Sequence, residues 1–144
     1  MPALLAAQIQ AEAKAAYPRE CCGLIEGLHG NGIFDARLLH PARNRATAAN
    51  RFEISPEDHF AAARRARARG HRLIGCYHSH PNGRLQPSPR DGESEGDFLW
   101  LIAATDGASS NLAAWLYRAG RFTPLELSDA VGADLVTSSL NERN

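Results

Sequence analysis

Apolar and polar positions follow two rhythms along this chain. From Ala3 to Tyr17 the sequence reads ALLAAQIQAEAKAAY, and Leu4, Leu5, Ile9, Ala13 and Ala16 roughly mark one helical face. Alanine, leucine and glutamine suit a helix, so residues 3–17 are expected to be helical, with Pro18 as the stop. The rhythm then changes. CGLIEGL at 22–28 reads as a short strand, HGNG at 29–32 as a hairpin turn, and IFDARLLH at 33–40 as the returning strand.

The stretch 41–54 is mixed and is expected to close in a short strand, RFEI. Ser55-Pro56-Glu57-Asp58 has the chemistry of a helix start: a capping hydroxyl, a proline for the first turn, and acids at the positive end of the dipole. That helix should run to about Arg69 and stop at Gly70. RLIGCYH at 72–78 and FLWLIAA at 98–104 read as buried strands, separated by a polar loop over 81–97. LAAWLYR at 112–118 and RFTPLEL at 121–127 predict a hairpin across Ala119-Gly120, and 128–144 is expected to hold a short helix with a frayed tail. Strands interleaved with helices, without a repeat or linker, predict one α/β domain over 1–144: a mixed central sheet flanked by helices.

Composition narrows the function classes. Lys+Arg and Asp+Glu both number 16, so there is no basic excess of the kind general nucleic-acid or anionic-membrane binding requires. No apolar run approaches the roughly 20 residues of a membrane span, and the N-terminus lacks the basic start and apolar stretch of a signal peptide. The three cysteines, Cys21, Cys22 and Cys76, suit a reducing compartment better than a disulfide framework. A cytoplasmic location is the expectation. A chain of 144 residues can bury a core without metal or disulfide support, so a metal here need not be structural.

The candidate chemistry lies in YHSHPNGRLQPSPRD, residues 77–91. His78 and His80 are two apart at the end of an apolar strand, so both imidazoles point to the same side and could grip one ion. Zinc suits such a pair, and a catalytic site adds a third protein ligand while keeping a position open for water. Asp91, beyond a turn-rich loop that can fold back, is the natural third ligand. A histidine pair at strand spacing is by itself weak evidence; Ser88, Asp91 and the upstream Glu20 strengthen it.

With these residues the sequence resembles the JAMM or MPN+ metalloproteases. Their signature is an upstream Glu, then H-x-H-P, then S-x-x-D seven residues after the second His. Here these are Glu20, His78-Ser79-His80-Pro81 and Ser88-Pro89-Arg90-Asp91, with Pro81 to Pro87 as the spacer. YPRECCGLIEG at 17–27, the Asn44 region, FEISPED at 52–58 and LIGCYHSHP at 73–81 extend the likeness to the short bacterial members, over roughly 3–127.

The resemblance implies a fold with a cytidine-deaminase-like layout. It also implies one Zn²⁺ held by His78, His80 and Asp91, Glu20 as the proton-transferring base, and Ser88 as a hydrogen-bond donor to the oxyanion. The implied substrate is the Gly-Gly C-terminus of a small ubiquitin-like or sulfur-carrier protein. One departure is visible: GESEGD follows Asp91, where family members usually have a helix bearing apolar residues. The long insertions of eukaryotic deubiquitinating members have no room here.

Other readings stay beside this one. A related peptidase could act on a phage-tail or cell-wall peptide. Family members without the ligands serve as non-catalytic binding modules. A RadC-type protein shares a similar H-N-H-P-S-G stretch, and a zinc nucleoside deaminase would need a P-C-x-x-C pair that is absent. Cys21 and Cys22 read as buried thiols rather than nucleophiles, Cys76, Trp100 and Trp115 as core, and Arg64 to Arg69 as a solvated helix face. His29, His40, His59 and His71 show no partner pattern and read as surface or loop residues. Nothing in the sequence gives the oligomeric state.

Overall fold

Leu5, Ile9 and Ala13, each four residues from the next, form the buried stripe of the first helix, α1 (Ala3–Ala16). Leu4 falls off that stripe and is 68% exposed, so the expected apolar face is narrower than its composition suggests. The computed structural model describes residues 2–48, 51–88, 98–127 and the strand 135–138. After α1 come β1 (Cys22–Gly30), β2 (Ile33–Ala42), α2 (Pro56–Ala68), β3 (Arg72–His80), β4 (Phe98–Thr105), β5 (Ser110–Arg118), β6 (Arg121–Leu127) and β7 (Leu135–Ser138).

Local chemistry sets most of these boundaries. The β1–β2 turn is two residues, Asn31 and Gly32, both at positive φ, as a tight hairpin requires. Ala119 and Gly120 repeat that geometry between β5 and β6. Ser55 caps α2 by accepting a bond from the Asp58 amide at 3.1 Å. Gly70, at φ 77°, ends it, and the His71 amide reaches back to the Ala66 carbonyl at 2.9 Å.

Two expectations fail. RFEI at 51–54 is not a strand. Its Arg51 carbonyl and Glu53 amide bond to the Asn44 side chain, which takes the place of a neighbouring strand. The final stretch holds a strand, β7, where a helix was expected. Leu135–Ser138 is rich in β-branched residues and pairs with both β2 and β6. Residues 128–134 and 139–144 lie outside the described residues.

The strands close in the order β1-β2-β7-β6-β5-β4-β3. All pairs are antiparallel except β3 with β4, which makes the sheet mixed, as expected. The two faces of the central strands bury different clusters. On one, Ile25, Tyr77, Leu99 and Leu101 pack with Leu5, Ile9 and Ala13 of α1. On the other, Leu24, Cys76 and Trp100 pack with Ala62 of α2. The second cluster leads directly to His78.

Candidate active site

The β1–β3 register places the site. Cys22 pairs with His78, and the Ser79 amide bonds to the Cys21 carbonyl at 3.1 Å. The ladder ends there: the Cys21 amide donates to the Ser79 hydroxyl at 2.8 Å, and Glu20 stands just before it. Glu20 is buried, at 7% exposure, and so are His78 and His80. The start of β1 and the end of β3 lie side by side, so the backbone of the glutamate and the two histidines come to one end of the sheet.

The two imidazoles converge. Nε2 of His78 and Nε2 of His80 lie 3.0 Å apart. Two nitrogens ligating a tetrahedral zinc at about 2.0–2.1 Å would stand about 3.3 Å apart, so the observed spacing fits a shared ion. The other nitrogen of His80, Nδ1, is 2.8 Å from the Arg84 carbonyl. Donating that proton leaves Nε2 with its lone pair, the tautomer a metal ligand needs. His78 is held by rings: Phe52 stacks on it at 4.4 Å and Trp100 meets it edge-on at 5.5 Å.

The loop after β3 is folded back over this end. Gly83, at φ 79°, donates its amide to the His80 carbonyl at 3.2 Å, and the Asn82 side chain accepts from the Arg84 amide. Trp115 Nε1 donates to the Leu85 carbonyl at 2.9 Å. Trp115, expected to be plain core, therefore pins the loop. Ser88 is half-buried at the end of the described part of that loop. Asp91 and the GESEGD stretch lie outside the described residues, and among the described residues no three His, Cys, Asp or Glu side chains form a metal-binding group.

Burial sets the thiol chemistry. It pushes Cys21 up to about 11 and Cys22 to about 12, so neither supplies a thiolate near neutral pH. This agrees with the reading of both as ordinary buried thiols. A polar cluster escaped sequence reading altogether. Glu26, fully buried on β1, takes two bonds from the Arg69 guanidinium at 2.8 Å each, with His40 Nε2 at 2.8 Å and His71 Nδ1 at 2.7 Å. His40 and His71 were read as surface or loop residues with no partner pattern, and Arg69 as part of a solvated face. The available signal was Glu26 itself: a carboxylate in an apolar strand must find partners.

A mixed barrel with convergent H-x-H imidazoles on one strand and a buried glutamate opposite defines a JAB-type, or MPN, domain. The sequence profile of the prokaryotic homologs of the JAB domain matches residues 2–117, and the chain belongs to that family. Among curated proteins it is 32% identical to a desampylase of Haloferax volcanii over 96 residues, covering 62% of this chain and 66% of that protein. It is 29% identical to a desampylase of Pyrococcus furiosus, covering 67% and 66%. Tail tip assembly protein K of Escherichia phage N15 is 36% identical over 58% of this chain. The chain thus matches about two thirds of each desampylase and 30% of the phage protein.

Among solved structures, a Desulfitobacterium hafniense protein superposes with a TM-score of 0.73 at 22% identity, covering 85% of this chain and 86% of that one. A Salinibacter ruber protein gives 0.58 at 33% identity, covering 80% of each. No helix among the described residues is long and apolar enough to cross a membrane.

Proposed function

We propose that this chain is a zinc-dependent hydrolase of a peptide or isopeptide bond at the Gly-Gly C-terminus of a small ubiquitin-like or sulfur-carrier protein. One observation carries the reading: the Nε2 atoms of His78 and His80 face each other at 3.0 Å while Nδ1 of His80 is engaged by the Arg84 carbonyl. Two matching relatives are desampylases, and that likeness supports the reading. In this reading His78, His80 and Asp91 hold the ion, one per chain. Zinc bound there supplies Lewis acidity toward a carbonyl oxygen and brings the pKa of water near 7.

The chain's own residues do the rest. Glu20 accepts a proton from the attacking water and returns it to the leaving amine nitrogen as the C–N bond breaks. Ser88 donates its hydroxyl proton in a hydrogen bond to the oxyanion. The profile match ends at residue 117 while the barrel continues to Ser138, which supports reading 1–144 as one domain. Cytoplasmic residence and the absence of nucleic-acid and membrane partners belong to the same proposal.

The test is zinc content of wild type beside Asp91→Ala, with hydrolysis of a carrier protein fused through its C-terminal Gly-Gly. About one zinc per chain, lost in the variant, with release of the carrier, is expected. Wild type that takes up no zinc on reconstitution would favour a non-catalytic binding module. The likeness to the phage tail-tip protein favours a second reading, a peptidase of a tail or cell-wall peptide. Zinc without carrier hydrolysis, but with cleavage of such a peptide, would select it.

A further inference from the structure

A general base works only when its carboxylate is held in place, and Glu20 stands just before β1, where the β1–β3 ladder is ending. Its backbone is nevertheless tied at both ends of one peptide group. The Glu20 carbonyl accepts a bond from Asn44 Nδ2 at 2.9 Å. The amide on the other side of that peptide, that of Cys21, donates to Ser79 Oγ at 2.8 Å. Ser79 is fully buried and lies between the two histidines; its own amide bonds to the Cys21 carbonyl at 3.1 Å.

Asn44 uses its whole hydrogen-bonding capacity in this place. Nδ2 donates to the Glu20 and Arg51 carbonyls, and Oδ1 accepts from the Ala46 and Glu53 amides at 2.9 and 3.0 Å. The Arg45 amide closes the neck of the same segment on the Glu53 carbonyl, and Phe52, inside it, stacks on His78. Arg19, next to Glu20, adds a bond from its guanidinium to the Ala46 carbonyl at 2.6 Å. Among the described residues, 44–48 and 51–53 thus touch both the backbone of the glutamate and the ring of a histidine.

We propose that Asn44 and Ser79 are the positioning residues of the base: together they fix the plane of the Glu20–Cys21 peptide and so aim the Glu20 carboxylate at the ground between His78 and His80. Neither side chain touches the reacting atoms. The middle residue of the H-x-H triplet therefore has a role of its own, linking the strand of the metal ligands to the strand of the base. The inference rests on the reading of Glu20 as base in the preceding subsection.

Ser79→Ala removes the acceptor. Asn44→Asp keeps the shape and the two accepted bonds but loses the donor to the Glu20 and Arg51 carbonyls. In the zinc-loaded full chain acting on the Gly-Gly-fused carrier, each variant should lower kcat about 10- to 100-fold, as small misplacements of a catalytic group do. KM and zinc content should stay within about twofold of wild type, since substrate and metal contacts are untouched. A second readout is independent of activity. The Cys21 amide should exchange with solvent about 10-fold or more faster in Ser79→Ala, with β3–β4 amides unchanged, because only its own bond is lost.

Unchanged kcat in both variants, against an active wild type, would overturn the inference and leave the function standing. So would a kcat loss matched by lost zinc or by faster exchange throughout β3 and β4, which would mark a purely structural role. An inactive wild type would overturn the function and this inference together.

Discussion

Nothing in the H-x-H pair distinguishes its two members, yet their surroundings do. His80 gives one nitrogen to a backbone carbonyl and turns the other toward His78, whose ring is set by Phe52 and Trp100. His80→Ala should therefore release the metal and leave the domain folded; zinc analysis with circular dichroism checks this, and undiminished zinc would remove His80 from the site. Glu20→Gln should retain zinc and lose about 10²–10⁴ in kcat, the usual worth of general acid–base catalysis. A fully active Gln variant would end its assignment as base.

Glu26 makes a different demand. The Arg69 guanidinium, with His40 and His71, holds its carboxyl at about 2 against burial, from an ordinary value of 4.5. Its folded pKa is lowered, so the unfolded chain binds the proton first. The stability it contributes is present above about pH 4.5 and is lost as pH falls from there to about 2. Glu26→Gln should destabilise the fold at neutral pH, because His40, His71 and Arg69 lose the carboxylate they share. Its acid-unfolding curve should be flatter than wild type across that window; equal slopes would contradict the assignment.

Among the elements, β3 and β4 explain the long loop between them. They run parallel, so the chain after His80 must travel back the length of a strand before Phe98 can begin β4. The crossover that carries Ser88 and Asp91 is thus demanded by the topology, and the proposed site uses a connection the sheet needs in any case. Its described part is tethered by Trp115, so Trp115→Phe should loosen the loop with little change in Tm. Faster proteolysis between Leu85 and Ser88 would show it; an unaltered cleavage rate would not fit. Gly75 sits where a Cβ would meet the Leu99 carbonyl of the neighbouring strand. Gly75→Ala should cost about 1–3 kcal/mol, read by denaturant unfolding, since rigid backbone cannot step aside as a side-chain end can.

For the molecule as a whole, β7 closes the barrel. It covers Ile33–Asp35 of β2 and Leu125–Leu127 of β6, edges that would otherwise present unpaired amides and carbonyls. Ending the chain after Leu127 should lower Tm and promote self-association at those edges. A truncated chain that stayed monomeric at wild-type Tm would show that closure contributes nothing.

The sequence by itself determined the elements whose signals are local. Ser55-Pro56 and Gly70 delimit α2, Asn31-Gly32 and Ala119-Gly120 turn the hairpins, and the spacing of His78 from His80 puts both on one face. Each depends on residues within a few positions of one another, where capping, φ preference and strand alternation act directly. Tertiary structure alone decided the rest. Residues 51–54 gave up a strand because Asn44 satisfied their backbone. The last stretch became β7 because two strand edges needed a partner. His40, His71 and Arg69 acquired a purpose because Glu26 was buried between them. In those cases the deciding partner lies beyond the reach of local turn and cap signals or is the edge of another strand, and a buried polar group takes whichever partner the fold brings within hydrogen-bonding reach.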